Sequence, residues 1–416
     1  LRISWPQGRG GSSPPFRTKP FTIQHRQCVA CMSKPKATGH FSRLRLRNWK
    51  NFLEVAIELP LRVFLVGPNA SGKSNLLDVF RFLRDLAEPG GGLQRAIEHR
   101  GGVSAIRCLA ARRSPDIEIA VEIRTGDQDV WEYELAFHQD NQRRPLVRRE
   151  CVRRNGQVLL ERPTPEDEED PERLTQTHLE QVTMNQPFRE LATFLNTIRY
   201  LHIVPQIVRE PDRGAGRHSD PYGGDFLEQI AKVPERTRNA RLRRICEALK
   251  IAIPQLAEIQ LFRDNRGVPH LRGKYEHWRP QGAWQTEEQF SDGTLRLMGL
   301  LWAILDGTGP LLLEEPELSL HPEIVRHIPQ MIARFQQHTK RQIIISTHSP
   351  ELLSDEGIGL NEVLLLIPDR EGTRVQPTAT LQEAQKLLES GVPIGEIALT
   401  HTRPQQAVQL SLFADQ

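Results

Sequence analysis

The sequence predicts an α/β fold with a mixed or parallel central sheet, an antiparallel β portion and a helical insertion lobe. Three observations lead to this expectation. Short apolar strands alternate with amphipathic helices near the start of the ordered pattern and again after residue 287, as in a parallel sheet covered by helices. Residues 115–160 alternate apolar and polar side chains with period two, as antiparallel strands do. Residues 186–260 carry apolar side chains at helical spacing, so we expect a helical lobe to interrupt the sheet.

The individual elements follow from local patterns along the chain. Residues 42–66 indicate two strands, of which the second, RVFLV, leads through a glycine-bounded loop into a helix over 74–87. Asn155–Gly156 marks the turn of a hairpin. The acidic, proline-containing stretch 162–178 is expected to be an exposed loop or linker, and 212–225 a flexible loop. The α/β pattern then returns with helix DGTLRLMGLLWAIL, strand PLLLEE, helix PEIVRHIPQMIARFQQH, strand RQIIIST, strand EVLLLIPD and helix TLQEAQKLLESG.

Composition and charge disfavour several classes of protein. The net charge of +3 gives no global signal for nucleic acid, although the basic clusters 143–154 and 235–245 could either contact phosphates or form solvated faces. No apolar run approaches the roughly 20 residues of a membrane-spanning helix. Five scattered cysteines are typical of a reducing cytoplasm, and the CxxC pair Cys28–Cys31 has no second pair to complete a zinc site. The first 31 residues lack periodicity, so we expect a leader, 1–40, that is disordered or lies upstream of the natural start.

The segment GPNASGKS, residues 67–74, is suited to hold a nucleoside triphosphate. It matches GxxxxGK[ST] between a buried strand and a helix, which is the context that this motif requires. The glycines let successive N–H groups surround phosphate oxygens, and the N-terminus of the following helix attracts anions. We expect Lys73 to reach the β- and γ-phosphates and Ser74 to bind Mg²⁺. The predicted nucleotide-binding residues of this segment are Gly67, Pro68, Asn69, Ala70, Ser71, Gly72, Lys73, Ser74 and Asn75.

Two later strand ends supply the other groups that ATP hydrolysis needs. Glu314 and Glu315 follow PLLL, so both carboxylates come to the carboxyl edge of the sheet, where ligands bind in such folds. One acid can hold the metal while its neighbour polarises the attacking water. The next strand leads into His348, which can contact the γ-phosphate or that water. The predicted catalytic residues are therefore Glu315 and His348, the predicted metal ligands are Ser74 and Glu314, and the predicted cofactors are ATP and Mg²⁺.

In this order, the glycine loop, EEPELSLHP and STHS resemble the ATP-binding-cassette (ABC) type of ATPase head, a group that includes RecF, the structural-maintenance-of-chromosomes (SMC) proteins and the overcoming-lysogenization-defect nucleases. Within it, the sequence is similar to stand-alone bacterial "AAA family" ATPases over residues 41–110 and 287–370. The resemblance implies that FSDGTLRLMGLL is the family signature, in which Ser291 and Gly293 bind the γ-phosphate of nucleotide held by the opposite subunit of an ATP-bound homodimer. It also implies these segments after the leader: an N-terminal head part 41–160, an insertion lobe 161–286, a C-terminal head part 287–370, and a closing helix and tail 371–416.

Some residues depart from the family pattern or are placed by it only loosely. Glu314 stands where the metal-binding acid is usually aspartate. Arg47 and Lys50, in LRNWKN, lie where the family's first hairpin approaches the nucleotide, and the resemblance implies that they contact it. Gln94 is the candidate, by its distance from the glycine loop, for the glutamine that joins the ATP site to a partner domain.

The sequence leaves two functions open. The first is a switch ATPase whose paired heads gate a protein effector, such as a nuclease encoded nearby, in DNA repair or phage defence; the defence role rests on the resemblance. The second is a RecF-like ATPase that binds DNA directly through the basic clusters. The insertion lacks the sustained heptads of a coiled-coil arm, and too few residues follow His348 for a nuclease domain, so we expect the chain alone to cut nothing. A transporter ATPase would need membrane subunits, and the split head argues against it.

Overall fold

The computed structural model describes residues 39–111, 115–126, 129–210, 220, 222–276 and 283–402. The expectations for the leader, for the CxxC pair, for most of the 212–225 loop and for the end of the tail lie outside these residues. Within them, every helix is too short or too polar to cross a membrane.

Strands dominate the first third of the described chain, and helices alternate with strands in the last third. The strands are β1 (Gly39–Trp49), β2 (Phe52–Glu58), β3 (Arg62–Val66), β4 (Ile117–Thr125), β5 (Asp129–Gln139), β6 (Pro145–Arg154), β7 (Gln157–Arg162), β8 (Arg199–Leu201), β9 (Leu256–Arg263), β10 (Pro269–Tyr275), β11 (Ala283–Thr286), β12 (Leu311–Glu314), β13 (Ile343–Thr347), β14 (Val363–Asp369) and β15 (Gly372–Pro377). The helices are α1 (Lys73–Ala87), α2 (Leu93–Glu98), α3 (Val103–Ile106), α4 (Pro165–Glu169), α5 (Arg189–Asn196), α6 (Pro205–Val208), α7 (Phe226–Lys232), α8 (Glu235–Ala252), α9 (Asp292–Leu305), α10 (Pro322–Thr339), α11 (Gln382–Glu389) and α12 (Ile394–Thr402).

The central sheet has six strands in the order β15-β14-β3-β13-β12-β8. β3 pairs in parallel with both β13 and β14, and β12 pairs in parallel with β13 and β8, whereas β15 is antiparallel to β14. β3 and β13 are buried along their whole length, which explains their continuous apolar or β-branched sequences. The predicted α/β fold with a mixed or parallel central sheet is confirmed.

Helices and the second sheet cover the two faces of the central sheet and give it two apolar cores. Alternate residues of a strand point to opposite faces. Leu65 and Leu312 therefore lie in one core with α1 and the antiparallel sheet, while Phe64 and Leu313 lie in the other with α8, α9 and α10. Since each fully buried leucine or phenylalanine contributes about 1.5–3 kcal/mol, the many such residues of α1 hold this helix firmly on the sheet. The loop that precedes α1 is thereby fixed at the carboxyl ends of the strands.

The antiparallel β portion is a second six-stranded sheet in the order β2-β1-β4-β5-β6-β7. Residues 42–66 contribute three strands instead of the predicted two, because the chain reverses at Lys50–Asn51 and returns as β2. The predicted turn at Asn155–Gly156 joins β6 to β7. Both turn residues have positive φ, 49° and 80°, as this two-residue hairpin requires.

The stretch 162–178, predicted to be an exposed loop or linker, is folded around a buried ion network. Arg162 and Asp167 have fully buried side chains joined by hydrogen bonds of 2.9 and 2.8 Å, and Arg162 also lies 3.2 Å from the buried Glu150. Thr164 begins α4 with a capping box that uses Asp167. The prediction was wrong because an acidic composition indicates exposure, whereas a carboxylate can be buried when an arginine pairs with it.

The insertion 161–286 is mixed rather than purely helical. Helices α5 to α8 account for the predicted helical patterning, but β9, β10 and β11 form a three-stranded antiparallel sheet in the order β11-β10-β9, and β8 belongs to the central sheet. Alternating side chains in LAEIQLFR and PHLRGKY favour these strands. At the other end of the chain, β15 and α12 were not predicted, and the predicted closing helix is α11.

Candidate functional site

The glycine loop lies where β3 ends and α1 begins. The helix starts at Lys73, and the preceding Gly72 has φ 94°, a left-handed conformation that favours glycine. A Cβ on Gly72 would lie 2.1 Å from the Asn51 side chain, and one on Gly67 would lie 2.5 Å from Ser71 Oγ. The first-turn N–H groups of α1 have no acceptor within the helix. A closely packed loop with free amides at a helix N-terminus is the geometry of an anion site.

Asn51, which the sequence did not single out, fixes the loop from the neighbouring hairpin. Its Nδ2 donates to Ser71 O at 3.0 Å and to Thr373 Oγ1 at 2.8 Å, and its Oδ1 accepts from Asn75 Nδ2 at 2.8 Å. The Trp49 indole N–H donates to Asn75 O at 2.9 Å. The β1–β2 hairpin and the edge strand β15 thus hold both ends of the loop.

Lys73 and Ser71 offer polar groups suited to a phosphate chain. Lys73 Nζ donates to the carbonyl oxygens of Gly67 and Pro68 at 2.9 and 3.1 Å. Burial lowers the pKa of Lys73, and the carboxylates that follow β12 oppose this shift. Ser71 Oγ is buried and has no hydrogen-bond partner among the described residues. An ammonium group beside an unpartnered hydroxyl fits the oxygens of a triphosphate.

The end of β12 brings the two predicted metal ligands together. Ser74 Oγ donates to Glu314 Oε1 at 2.5 Å, and the Tyr200 hydroxyl donates to Glu314 Oε2. Hydroxyl and carboxylate oxygens suit Mg²⁺, which usually completes its shell with water and phosphate oxygens. In the described part of the chain, no group of three or more His, Cys, Asp or Glu could hold a metal ion. A magnesium ion at this site would therefore be held by Ser74, Glu314 and the nucleotide's own phosphates.

The two predicted catalytic residues lie side by side, because β12 and β13 are parallel neighbours. His348 Nδ1 is 3.1 Å from Glu315 Oε1, and Glu315 N donates to Ser346 O at 3.0 Å. Glu317, which the sequence did not single out, is buried behind them and accepts from Thr347 Oγ1 at 2.6 Å. Burial raises the pKa of Glu317 despite that hydrogen bond.

The predicted signature residues lie at the N-terminus of α9. Ser291 is exposed and caps this helix, its Oγ accepting from Thr294 N at 3.2 Å. Gly293 lies close to the turn after β12, since a Cβ there would be 2.6 Å from Ser319 O. Among the described residues, no hydrogen bond joins Ser291 or Gly293 to the glycine loop of the same chain, residues 67–75. The helix N-terminus instead faces outward.

Arg47 and Lys50 lie on the same hairpin in different surroundings. Lys50 Nζ is 2.7 Å from Asp78 and lines the cavity into which Ser74 also projects. Arg47 pairs with Glu118 at 3.1 Å on an exposed part of the antiparallel sheet. The structure therefore brings Lys50 to the loop region, whereas the contact that Arg47 makes lies within the sheet.

Gln94 is turned away from the nucleotide loop, so the expectation for it is wrong. Its Nε2 donates to two backbone carbonyls, at 3.1 and 2.9 Å, in β6 and in the turn after α4. The residues after β8 lie closer to the acidic strand: His202 Nδ1 is 3.3 Å from Glu314 O, and Gln206 Nε2 is 3.3 Å from Asp292 Oδ2. Because β8 has only three residues, no alternation in the sequence marks this position.

A cavity of about 1930 Å³ opens beside Ser74 and Glu314 and continues along α1 and α2. Asp78 lies on its wall between Lys50 at 2.7 Å and Arg100 at 2.9 Å. Burial opposes ionisation of Asp78, but these cations outweigh it and lower its pKa from 3.8 to about 2.

Comparison with known proteins gave one family and several partial relatives. Residues 62–354 match the family described as "AAA domain, putative AbiEii toxin, Type IV TA system". The DNA replication and repair protein RecF of Brucella abortus (strain 2308) is 46% identical over 55 residues, which are 13% of this chain and only 13% of that protein's length. The Smc head domain of Pyrococcus furiosus, with an extended coiled coil and bound to the C-terminal domain of ScpA, is 13% identical, with 85% of this chain and 99% of that chain covered and a TM-score of 0.49. The SMC head domain of Thermotoga maritima is 15% identical, with 81% and 98% covered and a TM-score of 0.43.

Proposed function

The chain belongs to the AAA-domain family that its residues 62–354 match, and we propose that it is an ATPase that binds ATP with Mg²⁺, pairs head to head with a second copy around the nucleotide, and uses hydrolysis to gate a protein effector. One observation carries the proposal. The glycine loop, the Ser74–Glu314 pair and the Glu315–His348 pair come from distant parts of the sequence and meet at one edge of the central sheet.

Binding uses the amides of the glycine loop and the ammonium group of Lys73. The loop N–H groups and the N-terminus of α1 receive the phosphate oxygens, and Lys73 Nζ exchanges its carbonyl acceptors for the β- and γ-phosphates. Ser74 and Glu314 present one hydroxyl and one carboxylate oxygen for Mg²⁺. When bound, the ion neutralises charge on the phosphates.

Hydrolysis uses the carboxylate of Glu315 as the general base. This group takes the proton of the attacking water, and His348, 3.1 Å away, orients the carboxylate and lies where it can reach a γ-phosphate oxygen. A positioned base of this kind contributes about 10²- to 10⁴-fold to the rate.

The exposed N-terminus of α9 supports a site shared between two copies. Ser291 and its neighbouring amides make no hydrogen bond with the glycine loop of their own chain in the described residues, and a helix N-terminus attracts phosphate. In a head-to-head pair, Ser291 and Gly293 would therefore face the γ-phosphate bound by the other copy.

Two variants test the ATPase and the pairing. Glu315→Gln should lower turnover about 100-fold or more, keep ATP bound, and elute as a dimer with ATP on a sizing column. Glu323→Gln, at an exposed acid of α10, is the matched control and should behave as the wild type. A Glu315→Gln protein that stays monomeric with ATP bound would contradict the pairing, and full turnover in that variant would contradict the assigned base.

Ser291→Arg tests which copy the signature serves. The substitution places a long cation at the outward helix N-terminus, so turnover should be lost while the affinity of a monomer for ATP is unchanged, measured with a fluorescent ATP analogue. Loss of affinity in the monomer would mean that Ser291 serves the site of its own chain.

The effector is proposed to be a protein such as a nuclease encoded nearby, acting in DNA repair or phage defence. The description of the family refers to a toxin–antitoxin system, and the RecF relative is named for DNA replication and repair, which supports a role connected with nucleic acid. Tagged Glu315→Gln protein should enrich a nuclease from its native host with ATP and lose it without nucleotide. Equal recovery in both conditions would contradict gating by ATP.

Direct DNA binding is a second candidate, and the two basic clusters differ in their support for it. Cluster 235–245 lies on α8, where Arg236, Arg243 and Arg244 are exposed and none forms an ion pair within the described part of the chain. In cluster 143–154, four of the six arginines are neutralised by carboxylates, in the following pairs: Arg144 with Asp140 and Glu172, Arg149 with Glu134 and Glu161, Arg153 with Glu132 and Glu134, and Arg154 with Asp129 and Glu190.

Charge reversal separates this candidate from the first. If α8 contacts DNA phosphates, changing Arg236, Arg243 and Arg244 to Glu should weaken DNA binding and lower the slope of log affinity against log salt by about 2.7, at about 0.9 per phosphate contact. The control is Arg149→Glu, in the ion-paired cluster, which should change DNA binding little. DNA affinity that is unaffected by the α8 variant would reject this candidate.

A further inference from the structure

Tyr200 lies at the proposed metal site although no predicted motif contains it. It is the middle residue of β8 and pairs with Leu312 in the adjacent β12. Its hydroxyl donates to Glu314 Oε2, while Glu314 Oε1 accepts from Ser74 Oγ at 2.5 Å. Hydroxyl groups from two different elements therefore fix both oxygens of the expected metal ligand.

The ring of Tyr200 is itself held in place. The Arg81 guanidinium lies 4.4 Å from the ring centroid, and Arg81 is 3.7 Å from Asp78 on the same helix. Burial and the Glu314 carboxylate raise the pKa of Tyr200, so the hydroxyl keeps its proton and acts as the donor. His202, two residues further on, has its Nδ1 3.3 Å from Glu314 O. The hydroxyl thus approaches the carboxylate from a constrained ring.

A glutamate at this position needs such a constraint more than an aspartate would. Its side chain has one more methylene and one more rotatable bond, so an unsupported carboxylate would sample positions away from Ser74. The shorter acid, by contrast, would not reach the Tyr200 hydroxyl from the same backbone position without losing the contact with Ser74. Tyr200 and Glu314 therefore form a matched pair.

We propose that Tyr200 is a positioning residue whose hydroxyl holds the Glu314 carboxylate beside Ser74, so that the longer acid presents an oxygen to Mg²⁺ in a fixed direction. This inference rests on the proposed ATP–Mg²⁺ site. Tyr200 acts through Glu314 and does not touch the nucleotide. Groups that orient metal ligands in this way typically change metal affinity 10- to 100-fold when they are removed.

The direct test measures Mn²⁺ binding to the full chain in the presence of a non-hydrolysable ATP analogue, by electron paramagnetic resonance of free Mn²⁺. Tyr200→Phe keeps the ring that Arg81 covers and removes only the hydroxyl, so Mn²⁺ affinity should fall about 10-fold or more. The matched control is Tyr133→Phe, which removes a buried hydroxyl that donates to Glu150 at 3.2 Å in the antiparallel sheet. This control should leave Mn²⁺ affinity unchanged.

Turnover gives a second readout that a merely structural role would not produce. In Tyr200→Phe, the Mg²⁺ concentration for half-maximal turnover should rise by the same factor as the Mn²⁺ dissociation constant, while turnover at saturating Mg²⁺ should change much less. Equal losses at all Mg²⁺ concentrations would overturn the positioning role.

A double-mutant cycle with Glu314→Asp completes the test. If the tyrosine hydroxyl acts on the longer side chain, Tyr200→Phe should have little effect on Mn²⁺ affinity in the Glu314→Asp background, and the two changes should be far from additive. Additive effects, or a Tyr200→Phe protein that matches Tyr133→Phe, would overturn the inference while leaving the ATPase proposal intact. A wild-type chain that binds no Mn²⁺ with the analogue would refute the proposed site itself.

Discussion

Replacing Asp78 with asparagine tests the electrostatics of the cavity wall. Asp78 is 5% exposed and contacts Lys50 at 2.7 Å, Arg100 at 2.9 Å and Arg81 at 3.7 Å. Burial disfavours its charge, but the cations dominate and lower the pKa of Asp78 from 3.8 to about 2. The folded state therefore binds this proton less tightly than the unfolded chain does, and the carboxylate stabilises the fold.

The size of this stabilisation follows from the two pKa values. The difference between 3.8 and about 2 corresponds to about 2.4 kcal/mol at pH 7, at about 1.36 kcal/mol for each tenfold change in proton affinity. The contribution is fully present above the unfolded pKa of 3.8 and is lost as the pH falls through 2, so about 1.3 kcal/mol remains at pH 3. Arg100 keeps Asp85 at 2.9 Å as a second partner in Asp78→Asn, which limits any additional loss.

Urea unfolding followed by circular dichroism at pH 7 and pH 3 measures this contribution. The free energy of unfolding of the wild type should exceed that of Asp78→Asn by about 2.4 kcal/mol at pH 7 and by about 1.3 kcal/mol at pH 3. Asp369→Asn, which removes an exposed carboxylate that pairs with Arg374 at 3.3 Å, should cost less than about 0.5 kcal/mol. A difference for Asp78→Asn that is the same at both pH values, or below about 1 kcal/mol at pH 7, would refute the reasoning.

Three further predictions concern other parts of the fold. Asp167→Asn leaves Arg162 buried with one carboxylate partner fewer, and thermal or urea unfolding should show a loss of about 3–5 kcal/mol; a loss under about 1 kcal/mol would mean that the network contributes little. Gly72→Ala places a Cβ against a neighbouring side chain at φ 94° and should abolish binding of a fluorescent ATP analogue, whereas Gly126→Ala, at φ 61° in open space, should cost only about 1 kcal/mol of stability and leave binding unchanged. Burial raises the pKa of Glu180 from 4.5 to about 7, so its stabilising contribution is complete below pH 4.5 and lost as the pH rises through 7; the stability of the wild type relative to Glu180→Gln should therefore fall by about 2.5 kcal/mol between pH 5 and pH 8, and a constant difference would contradict the shift.

The parts of the site that were predictable are those with a contiguous signal. GPNASGKS is read in one window, and the strand ends that carry Glu314 and His348 are marked by the apolar runs before them. The structure brings these segments together at one sheet edge, and the catalytic and metal-binding roles of their residues remain predictions.

The parts that were missed depend on contacts between distant residues. Asn51 acts through Ser71 and through Thr373, which lies 322 positions away, so no local window contains the relationship. Tyr200 lies in a strand of three residues, which is too short to show a period. Asp167 looks exposed from its acidic neighbours, and only the fold reveals the arginine that permits its burial.

The topology of the central sheet also constrains how the protein is made. β3 has β13 and β14 as its two neighbours, so Val66 finds its partner Thr347 only after the ribosome has added 281 further residues (347 − 66). At about 5–20 residues per second, this interval lasts roughly 15–55 s, during which an apolar strand with two unpaired edges has emerged from the exit tunnel. Such a nascent chain is the kind of client that chaperones bind. Affinity for nucleotide would then arise only near the end of translation, and it would report that synthesis is complete.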